Sequence, residues 1–542
     1  MGLSAQDFRQ SRLVTCHDRG FRGACGVGHG DVLASHMPHP TPTGVVPGGQ
    51  LLGMAEVAVT RSTERSRRRE NSGVLPYPAW LNAGDNAWQL TAATLVGLMS
   101  VPGLVLLYGG VVQKKWAINT MLMAFTGFCI VLFVWVFYGF KMGFGTPAHL
   151  FGAGPGAFLS NLVGQPGPVL SPANEIGQAH IPLISDVGLM PKFRFGQSSL
   201  IYFQFVFAAI TPLLFLGSVL TRMSLKAWMI FVFLWASLVY PINAFLLWGG
   251  GYFAQQGAVD YSGGYVIHLA AGVSGFVAAA VLGPRIKGDR ESTPNNMMFV
   301  ALGAGLLWLG WNGFNGGDPY FAGADAGAAV LNTNLAAASA MFIWVIWDML
   351  SPRKSASLIG AVNGMIVGLV GITPAAGFVN GYGALIIGVG GSSIVWVMMT
   401  YVGPKIPFFN RVDDALGVVY THGLAGLIGG LSVGLLADPH MMMYLGASGT
   451  ATGGFSVTSL FYGSDGGNQI YHQFQAAVWI ILFSSIMTFI ILRVMKLFMP
   501  LRYTDQECLD GDIAIHGEQV TADFIGEQSL VAPLAPPPGL GD

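Results

Sequence analysis

Charged residues are scarce in this chain of 542 residues, at only 10% of the total. Soluble domains carry about 25% charged residues, so the chain lacks the polar surface of a water-soluble fold. The net charge of −1 gives no reason to expect a nucleic-acid partner. Cysteine is also rare, and the four cysteines form no CxxC pair, so we expect neither a metal site nor a disulfide framework. We expect no cofactor and no enzyme activity.

Apolar residues are abundant instead, at 52%, and the mean hydropathy is +0.56. A transmembrane helix needs about 20 mostly apolar residues. About eleven such stretches occur, near 88–108, 117–140, 198–220, 228–250, 262–283, 297–314, 327–350, 357–375, 381–403, 415–437 and 472–498. The sequence therefore predicts an all-α membrane protein with a transmembrane domain over residues 81–500.

Basic residues concentrate in alternate connections between the predicted spans. They are Lys114, Lys115, Arg222, Lys226, Arg285, Lys287, Arg290, Arg353, Lys354, Lys405 and Arg411. Arg and Lys accumulate in cytoplasmic loops. With an odd number of spans, this alternation places the start of the first span outside and the C-terminal tail, residues 501–542, in the cytoplasm. We expect the protein to lie in the inner (plasma) membrane of the cell.

The first 80 residues do not fit this pattern, because they are polar and include an Arg-rich run from Arg65 to Arg69. They contain no apolar region of the kind that a cleavable signal needs. Three interpretations remain open: an authentic disordered extension, a translation start placed too far upstream, or a segment that is later removed. The Pro- and Gly-rich end of the tail, residues 532–539, is also predicted to be disordered.

A motif of the form D-x7-H-x2-A-G occurs twice, beginning at Asp260 and at Asp414. Five spans separate the copies, and an odd offset inverts the second copy across the bilayer. The sequence therefore predicts an inverted five-helix repeat plus a final helix, a design that places functional groups near the midplane. Eight residues of helix span about 12 Å, so each aspartate should lie toward a membrane face and each histidine deeper.

The two histidines of this motif are His268 and His422. A charge at the centre of a membrane helix costs at least ~2.5 kcal/mol, so an ionisable residue there is a candidate functional group. A single intramembrane histidine is often a neutral imidazole bonded to a neighbouring helix. Two histidines at equivalent repeat positions favour a shared function instead. Glycines around both of them allow close helix approach.

Further motifs occur in order along the chain from Asp85 to about Glu518. They are Val101-Pro-Gly103, Tyr108-Gly-Gly110, Tyr202-Phe-Gln204, Trp248 to Gly251, Asp260 to His268, Trp311 to Gly316, Thr373 to Gly377, Arg411 to Gly423 and Asp512 to Glu518. Together these motifs resemble those of the ammonium transporter (Amt/Mep/Rh) superfamily, nearer its Amt and Mep branches.

This resemblance implies a homotrimer in a lipid bilayer, with one pore in each subunit. It implies that His268 and His422 bridge inside that pore and that Phe207 and Phe314 close its outer mouth. Trp248 matches the aromatic residue of the outer recruitment site, and Asp260 matches the family's carboxylate near it. The resemblance also implies that a PII-type signalling protein can dock at the cytoplasmic face.

Two positions depart from the family pattern. Asp318 stands where many relatives have a small hydroxyl residue, and it either coordinates the incoming cation or caps a helix end. Gly417 stands where some relatives have a third aspartate after Asp413 and Asp414. That departure weakens the assignment of these two carboxylates to the cytoplasmic mouth.

A dry apolar passage would exclude a bare ion, because desolvating it has an idealised cost of order 20 kcal/mol. The consistent function is recruitment and deprotonation of ammonium, with methylammonium as a further candidate substrate, and conduction of ammonia. The histidines then bond ammonia, relay the proton, or do both, and a relay would make transport electrogenic. The alternatives are an ammonium sensor, an Rh-like passive ammonia channel, and a redox enzyme with the histidines as haem ligands.

Overall fold

Helices dominate this computed structural model, which describes residues 77–150, 158–185, 190–290, 293–441, 443, 455–463 and 466–520. No β-strand occurs in these ranges, and ten of their helices are long and apolar enough to cross a membrane. The predictions for residues 1–76 and for the end of the tail lie outside the described residues. The all-α membrane class is confirmed.

Eleven principal helices follow the predicted spans. They are α1 (Ala83–Val111), α2 (Lys114–Phe144), α3 (Gln197–Val219), α4 (Leu225–Gln256), α5 (Gly264–Leu282), α6 (Met297–Gly316), α7 (Ala324–Leu350), α8 (Leu358–Ile372), α9 (Gly381–Lys405), α10 (Val419–Leu436) and α11 (Gly467–Phe498). Helix α3 is almost entirely buried and forms the centre of the bundle, whereas only about a third of α11 is buried.

Helix α8 is the shortest of the eleven and falls below the length that a straight span requires. It was predicted to continue to residue 375 but ends at Ile372. Thr373 still has helical backbone angles, but Pro374 has no amide to donate, so the hydrogen-bond pattern of the helix ends there and the chain continues as turns. Ten helices therefore meet the criterion for a span, and the count of eleven and the in–out orientation stay predictions.

The two motif-bearing helices, α5 and α10, cross in antiparallel directions. Gly264 faces Gly426 at the start of α5, and Gly272 faces Gly423 about two turns later. A Cβ at Gly426 would lie 2.5 Å from Gly264 O, and a Cβ at Gly272 would overlap the backbone of Gly423. Glycine at these positions is what lets the two helices approach so closely.

The C-terminal segment lies on the same face as the basic connections, which we call the tail face. Lys115 Nζ donates to Cys508 O over 2.8 Å, and Arg502 donates to Leu282 O over 2.9 Å. Two short helices complete the segment, α12 (Asp505–Asp510) and α13 (Asp512–His516). The Asp512 carboxylate accepts hydrogen bonds from the amides of Ile118 and Asn119 at the start of α2.

Candidate functional site

A continuous row of aromatic rings leads from one face into the bundle. Trp248 lies 6.1 Å from Phe207, and Phe207 lies 4.4 Å from Phe314, measured between ring centroids. Phe314 is 5.8 Å from His268, which is 5.3 Å from His422. The five side chains come from five different helices, α3, α4, α5, α6 and α10, yet consecutive rings are in contact. The structure thus brings together the five ring residues that the sequence singled out.

The two histidines are in direct contact at the inner end of this row. His268 Nδ1 and His422 Nδ1 are 3.2 Å apart, and both side chains are buried. Each histidine lies in a π-helical turn, Gly264–Leu269 in α5 and Val419–Leu424 in α10. Equivalent turns in antiparallel helices aim the two rings at each other. The buried Nε2 atom of His268 has no hydrogen-bond partner among the described residues.

Trp311 belongs to the site but was not singled out from the sequence. Its ring stacks on His268 at 5.3 Å with an interplanar angle of 18°, and it also contacts Phe314 at 5.1 Å. Its indole N–H donates to Thr373 Oγ1 over 2.9 Å, which fixes the ring plane. The only signal in the sequence is its place at the start of the Trp311 to Gly316 motif.

Asp260 lies just before α5 and accepts hydrogen bonds from three backbone amides. Gly263 N donates to Oδ1 over 3.1 Å, and Tyr265 N and Val266 N each donate to Oδ2 over 2.9 Å. This is N-cap geometry, in which a carboxylate satisfies amides that the helix leaves unpaired. The Trp248 indole N–H donates to Asp260 O over 2.7 Å, so the same residue also holds the outermost ring of the row.

Asp318 lies one helical turn after Phe314, beyond the end of α6, and is only 6% exposed. Its Oδ2 atom has no hydrogen-bond partner, and no backbone amide in the described part of the chain donates to its carboxylate. Nothing in the structure therefore supports the capping alternative. Burial raises the pKa of Asp318 well above its usual range.

Asp413 and Asp414 lie at the tail face, and Asp414 precedes His422 by eight positions in the motif that the two helices share. Arg285 donates to both carboxylate oxygens of Asp413, over 3.0 and 2.8 Å. Burial alone would raise the pKa of Asp413, but these hydrogen bonds and the guanidinium charge outweigh it and lower that pKa. Asp414 accepts a hydrogen bond from Val419 N over 2.8 Å and caps α10, as Asp260 caps α5.

A cavity of about 600 Å³ connects His422 with the tail face. Its walls are mostly apolar side chains, including Leu214, Phe276 and Ile366, and its rim carries Arg285 and Asp414. The cavity lies at the inner end of the ring row, and its volume is large enough to hold water molecules.

The positions of the two histidines can be compared with those that haem or metal ligands require. The 3.2 Å contact between the two Nδ1 atoms leaves no space for an iron porphyrin between the rings, so haem ligation by this pair fails on geometry. Among the residues that the structure describes, no group of three His, Cys, Asp or Glu side chains is placed to hold a metal ion.

Comparison with known proteins gives a consistent result. The model of the Ammonium Transporter Family matches residues 87–521. Ammonium transporter 2 of Arabidopsis thaliana is 46% identical over 446 residues, which cover 82% of this chain and 89% of that protein. Ammonium transporter 3 member 3 of Oryza sativa subsp. japonica is 45% identical, with coverage of 82% and 91%.

Solved structures agree with the sequence relatives. Mep2 of Saccharomyces cerevisiae superposes with a TM-score of 0.65 at 26% identity, over 79% of this chain and 89% of that one. A sensor Amt protein superposes with a TM-score of 0.64 at 25% identity, over 79% and 96%. The match to the family covers most of α1 and all of the other ten principal helices, and with the paired histidines and the ring row it establishes that this chain belongs to the ammonium transporter family.

Proposed function

We propose that this chain is an ammonium transporter of the plasma membrane, which collects ammonium at an outer mouth, deprotonates it and conducts ammonia inward. The observation that carries the proposal is the contact between His268 and His422, at the inner end of a buried aromatic row. Relatives that are 45–46% identical over most of the chain are themselves called ammonium transporters. The tail face is then cytoplasmic, and Trp248 marks the outer face.

Recruitment uses the aromatic faces of Trp248 and Phe207 together with the Asp318 carboxylate. A cation over an aromatic face gains ~0.5–2 kcal/mol per ring. A carboxylate about 4 Å away adds roughly 1 kcal/mol in water and more where water is partly excluded. The burial of Asp318 and its unpartnered Oδ2 atom support this role, because the atom is free to accept a hydrogen bond from ammonium. Asp260 acts there chiefly as the cap of α5.

Deprotonation follows from the energetics of the ring row. These attractions concentrate a cation at the mouth, but they are far smaller than the idealised desolvation cost of order 20 kcal/mol for a bare ion. Phe207 and Phe314, 4.4 Å apart and fully buried, close the passage beyond the mouth. Ammonia can cross such a passage without that cost. Potassium has no proton to lose, so it is excluded.

The histidine pair then receives ammonia and relays the proton. A neutral imidazole offers one nitrogen that donates and one that accepts, which matches the hydrogen-bonding needs of ammonia. The direct contact between the two Nδ1 atoms gives the pair a hydrogen bond along which a proton can pass. Ammonia leaves through the apolar cavity below His422, whose lining includes Arg285, a side chain that is held by its ion pair with Asp413. Movement of ammonia with a separately relayed proton makes transport electrogenic.

Assembly and regulation are further parts of the proposal. Large apolar side chains on α6 and α7 are exposed in the single subunit, among them Leu309, Leu331 and Phe342 at 60–67%. Such a face suits contact with lipid and with neighbouring subunits of a homotrimer, whose mass light scattering in detergent would measure. The ordered tail segment on the cytoplasmic face is a docking surface for a PII-type regulator.

Reconstitution in liposomes, with currents recorded on a supported membrane, tests the transport proposal. We expect an ammonium-driven current and none with potassium. A passive ammonia channel would instead equilibrate ammonia without any current, and alkalinisation of a lumenal pH dye would detect it. Ammonium binding without either signal would favour a sensor, a function that the shared fold by itself does not exclude.

A further inference from the structure

Side chains at the start of α1 form hydrogen bonds with the backbone of the segment 316–322, which carries Asp318. The three α1 residues that make these bonds are Asp85, Trp88 and Gln89, and we call them the α1 brace. Trp88 Nε1 donates to Gly316 O over 2.8 Å, Gln89 Nε2 donates to Gly317 O over 2.6 Å, and Asp85 Oδ1 accepts from Ala322 N over 2.9 Å. The α1 brace therefore forms hydrogen bonds with both ends of this segment, at Gly316 and Gly317 and at Ala322.

Gln89 acts on the turn that presents Asp318. Tyr320 N donates to Gly317 O over 3.0 Å, which closes a four-residue turn with Asp318 at its second position. The amide of Gln89 donates to that same carbonyl oxygen, and the Gln89 side chain is fully buried. A buried hydrogen bond to the closing carbonyl fixes the turn more firmly than an exposed one would.

The turn needs such support because its backbone is strained. Tyr320 has a φ of +63°, which is uncommon for a bulky residue, and such conformations persist only when their surroundings hold them. Gln204 Nε2 donates to Tyr320 OH over 2.9 Å on the far side of the turn. Gly317 is tightly enclosed, since a Cβ there would lie 2.6 Å from the Phe203 ring.

Asp85, the third residue of the α1 brace, is held in turn by an ion pair. Arg194 Nε lies 2.7 Å from Asp85 Oδ2, and the guanidinium carbon of Arg194 lies 5.4 Å from the centroid of the Phe321 ring. Arg194 therefore contacts both the acceptor of the brace and the segment that the brace holds. The carboxylate of Asp318 is left as a buried group with one unpartnered oxygen on a segment fixed at both ends.

We propose that Gln89, together with Trp88, is a positioning residue that fixes the turn Gly317–Tyr320 and so orients the Asp318 carboxylate toward the incoming ammonium. The inference rests on the recruitment role proposed above for Asp318. A pre-organised carboxylate binds more tightly because its ordering cost is met before the cation arrives. The brace therefore acts on ammonium affinity through Asp318 and not on the passage through the rings.

A double-mutant cycle tests this inference on currents from the full-length protein in liposomes. Gln89→Met keeps the side-chain length but removes the donor, and Trp88→Phe keeps a ring but removes the indole N–H. We expect either change to raise the half-saturating ammonium concentration about threefold or more, the worth of one buried hydrogen bond, with the maximal current unchanged. In an Asp318→Ser background the same changes should have no further effect.

The matched control is Gln469→Met, which removes an amide donor to Gly257 O over 3.1 Å on the same face but outside the brace. It should leave the half-saturating concentration unchanged in both backgrounds. Equal losses from Gln89→Met in both backgrounds, or no loss in either, would overturn the positioning role. If Asp318→Ser alone leaves the half-saturating concentration unaltered, the failure lies with the recruitment proposal instead. Trp88→Phe supplies the result if Gln89→Met does not fold.

Discussion

His268 Nδ1 and His422 Nδ1 lie 3.2 Å apart, so one of these two atoms carries a proton and the other accepts it. In the neutral pair, the ring that donates through Nδ1 has an accepting Nε2, and the other ring has a donating Nε2–H. The pair therefore offers ammonia one acceptor and one donor at opposite ends. Shifting the shared proton, with compensating transfers at the two Nε2 atoms, reverses this polarity, which is the property that a relay requires.

Replacing His268 with alanine should remove the relay. We expect the ammonium current to fall sharply, or potassium to begin to pass, because the residual space can admit water and with it an ion. Currents on supported membranes, recorded with ammonium and then with potassium, measure both effects.

The control for this change is His440→Ala, a histidine that the proposal does not use and whose side chain is 89% exposed. It should behave like the parent protein. An undiminished ammonium current together with unchanged potassium rejection in His268→Ala would refute the relay by the histidine pair.

The crossing of α5 and α10 should be intolerant of a single methyl group. A Cβ at position 426 would lie 2.5 Å from Gly264 O and 3.2 Å from the Cβ atom of His268. We expect Gly426→Ala to destabilise the protein by about 1–3 kcal/mol through overpacking, and to displace His268. Thermal unfolding in detergent measures the loss of stability, and the ammonium current should fall with it.

Gly305→Ala is the matched control, because nothing lies within 4 Å of a Cβ at that position in α6. Alanine is favoured over glycine in a helix by about 0.5–1 kcal/mol, so this variant should be as stable as the parent or slightly more stable. Equal melting temperatures for Gly426→Ala and the parent would contradict the close crossing.

The sequence predicted the spans to within a few residues, because the bilayer sets the length of an apolar helix and local composition reveals it. The largest differences are at the end of α4, predicted at 250 and found at Gln256, and at the starts of α1 and α11, each five residues earlier than predicted. The starts of α5 and α10 lie two and four residues later than predicted, after Gly263 with a φ of +108° and Gly417 with a φ of +67°. The paired aspartate motif also predicted which two helices carry the histidines. Apolar composition is local in the sequence, and the aspartate motif is repeated along it, so both can be recognised without the structure.

Contacts between distant segments could not be predicted in this way. Trp311 and His268 are 43 positions apart by their numbering, and no periodicity records that their rings stack. In the sequence, Gln89 is likewise a single polar residue in a membrane helix. Nothing near it along the chain indicates its hydrogen bond to a carbonyl oxygen 228 positions away. The two alternatives for Asp318 stayed open for the same reason, since only the folded chain places amides near its carboxylate or leaves it without them.

Ammonium affinity should depend on pH through Asp318. Because burial raises the pKa of this carboxyl, it is neutral below that raised pKa and charged above it. In the proposed recruitment, the attraction between the Asp318 carboxylate and ammonium is therefore present above that pKa and is lost as the pH falls through it. We expect the half-saturating ammonium concentration to increase as the pH of the buffer is lowered. In Asp318→Ser the affinity should be lower and this increase should disappear, so an identical pH profile in the two proteins would count against the role.

Asp512 should hold the tail segment against the tail face. Its carboxylate accepts from Ile118 N over 2.8 Å and from Asn119 N over 2.9 Å, and it caps α2 from a distant part of the chain. Loss of a cap costs about 0.5–2 kcal/mol, enough to release a short segment transiently. We therefore expect Asp512→Ala to expose Cys508, which is only 1% exposed in the intact structure.

Maleimide labelling of Cys508, with the other three cysteines changed to serine, measures this release. The control is Asp510→Ala, whose exposed carboxylate bonds only to Gln506 within its own short helix. We expect labelling to be several-fold faster in Asp512→Ala and unchanged in Asp510→Ala, because only Asp512 joins the tail to α2. Equal labelling rates in the two variants would mean that two other hydrogen bonds suffice to hold the segment, because neither change removes them. These are the bond from Lys115 to Cys508 O and the bond from Arg502, within the segment, to Leu282 O.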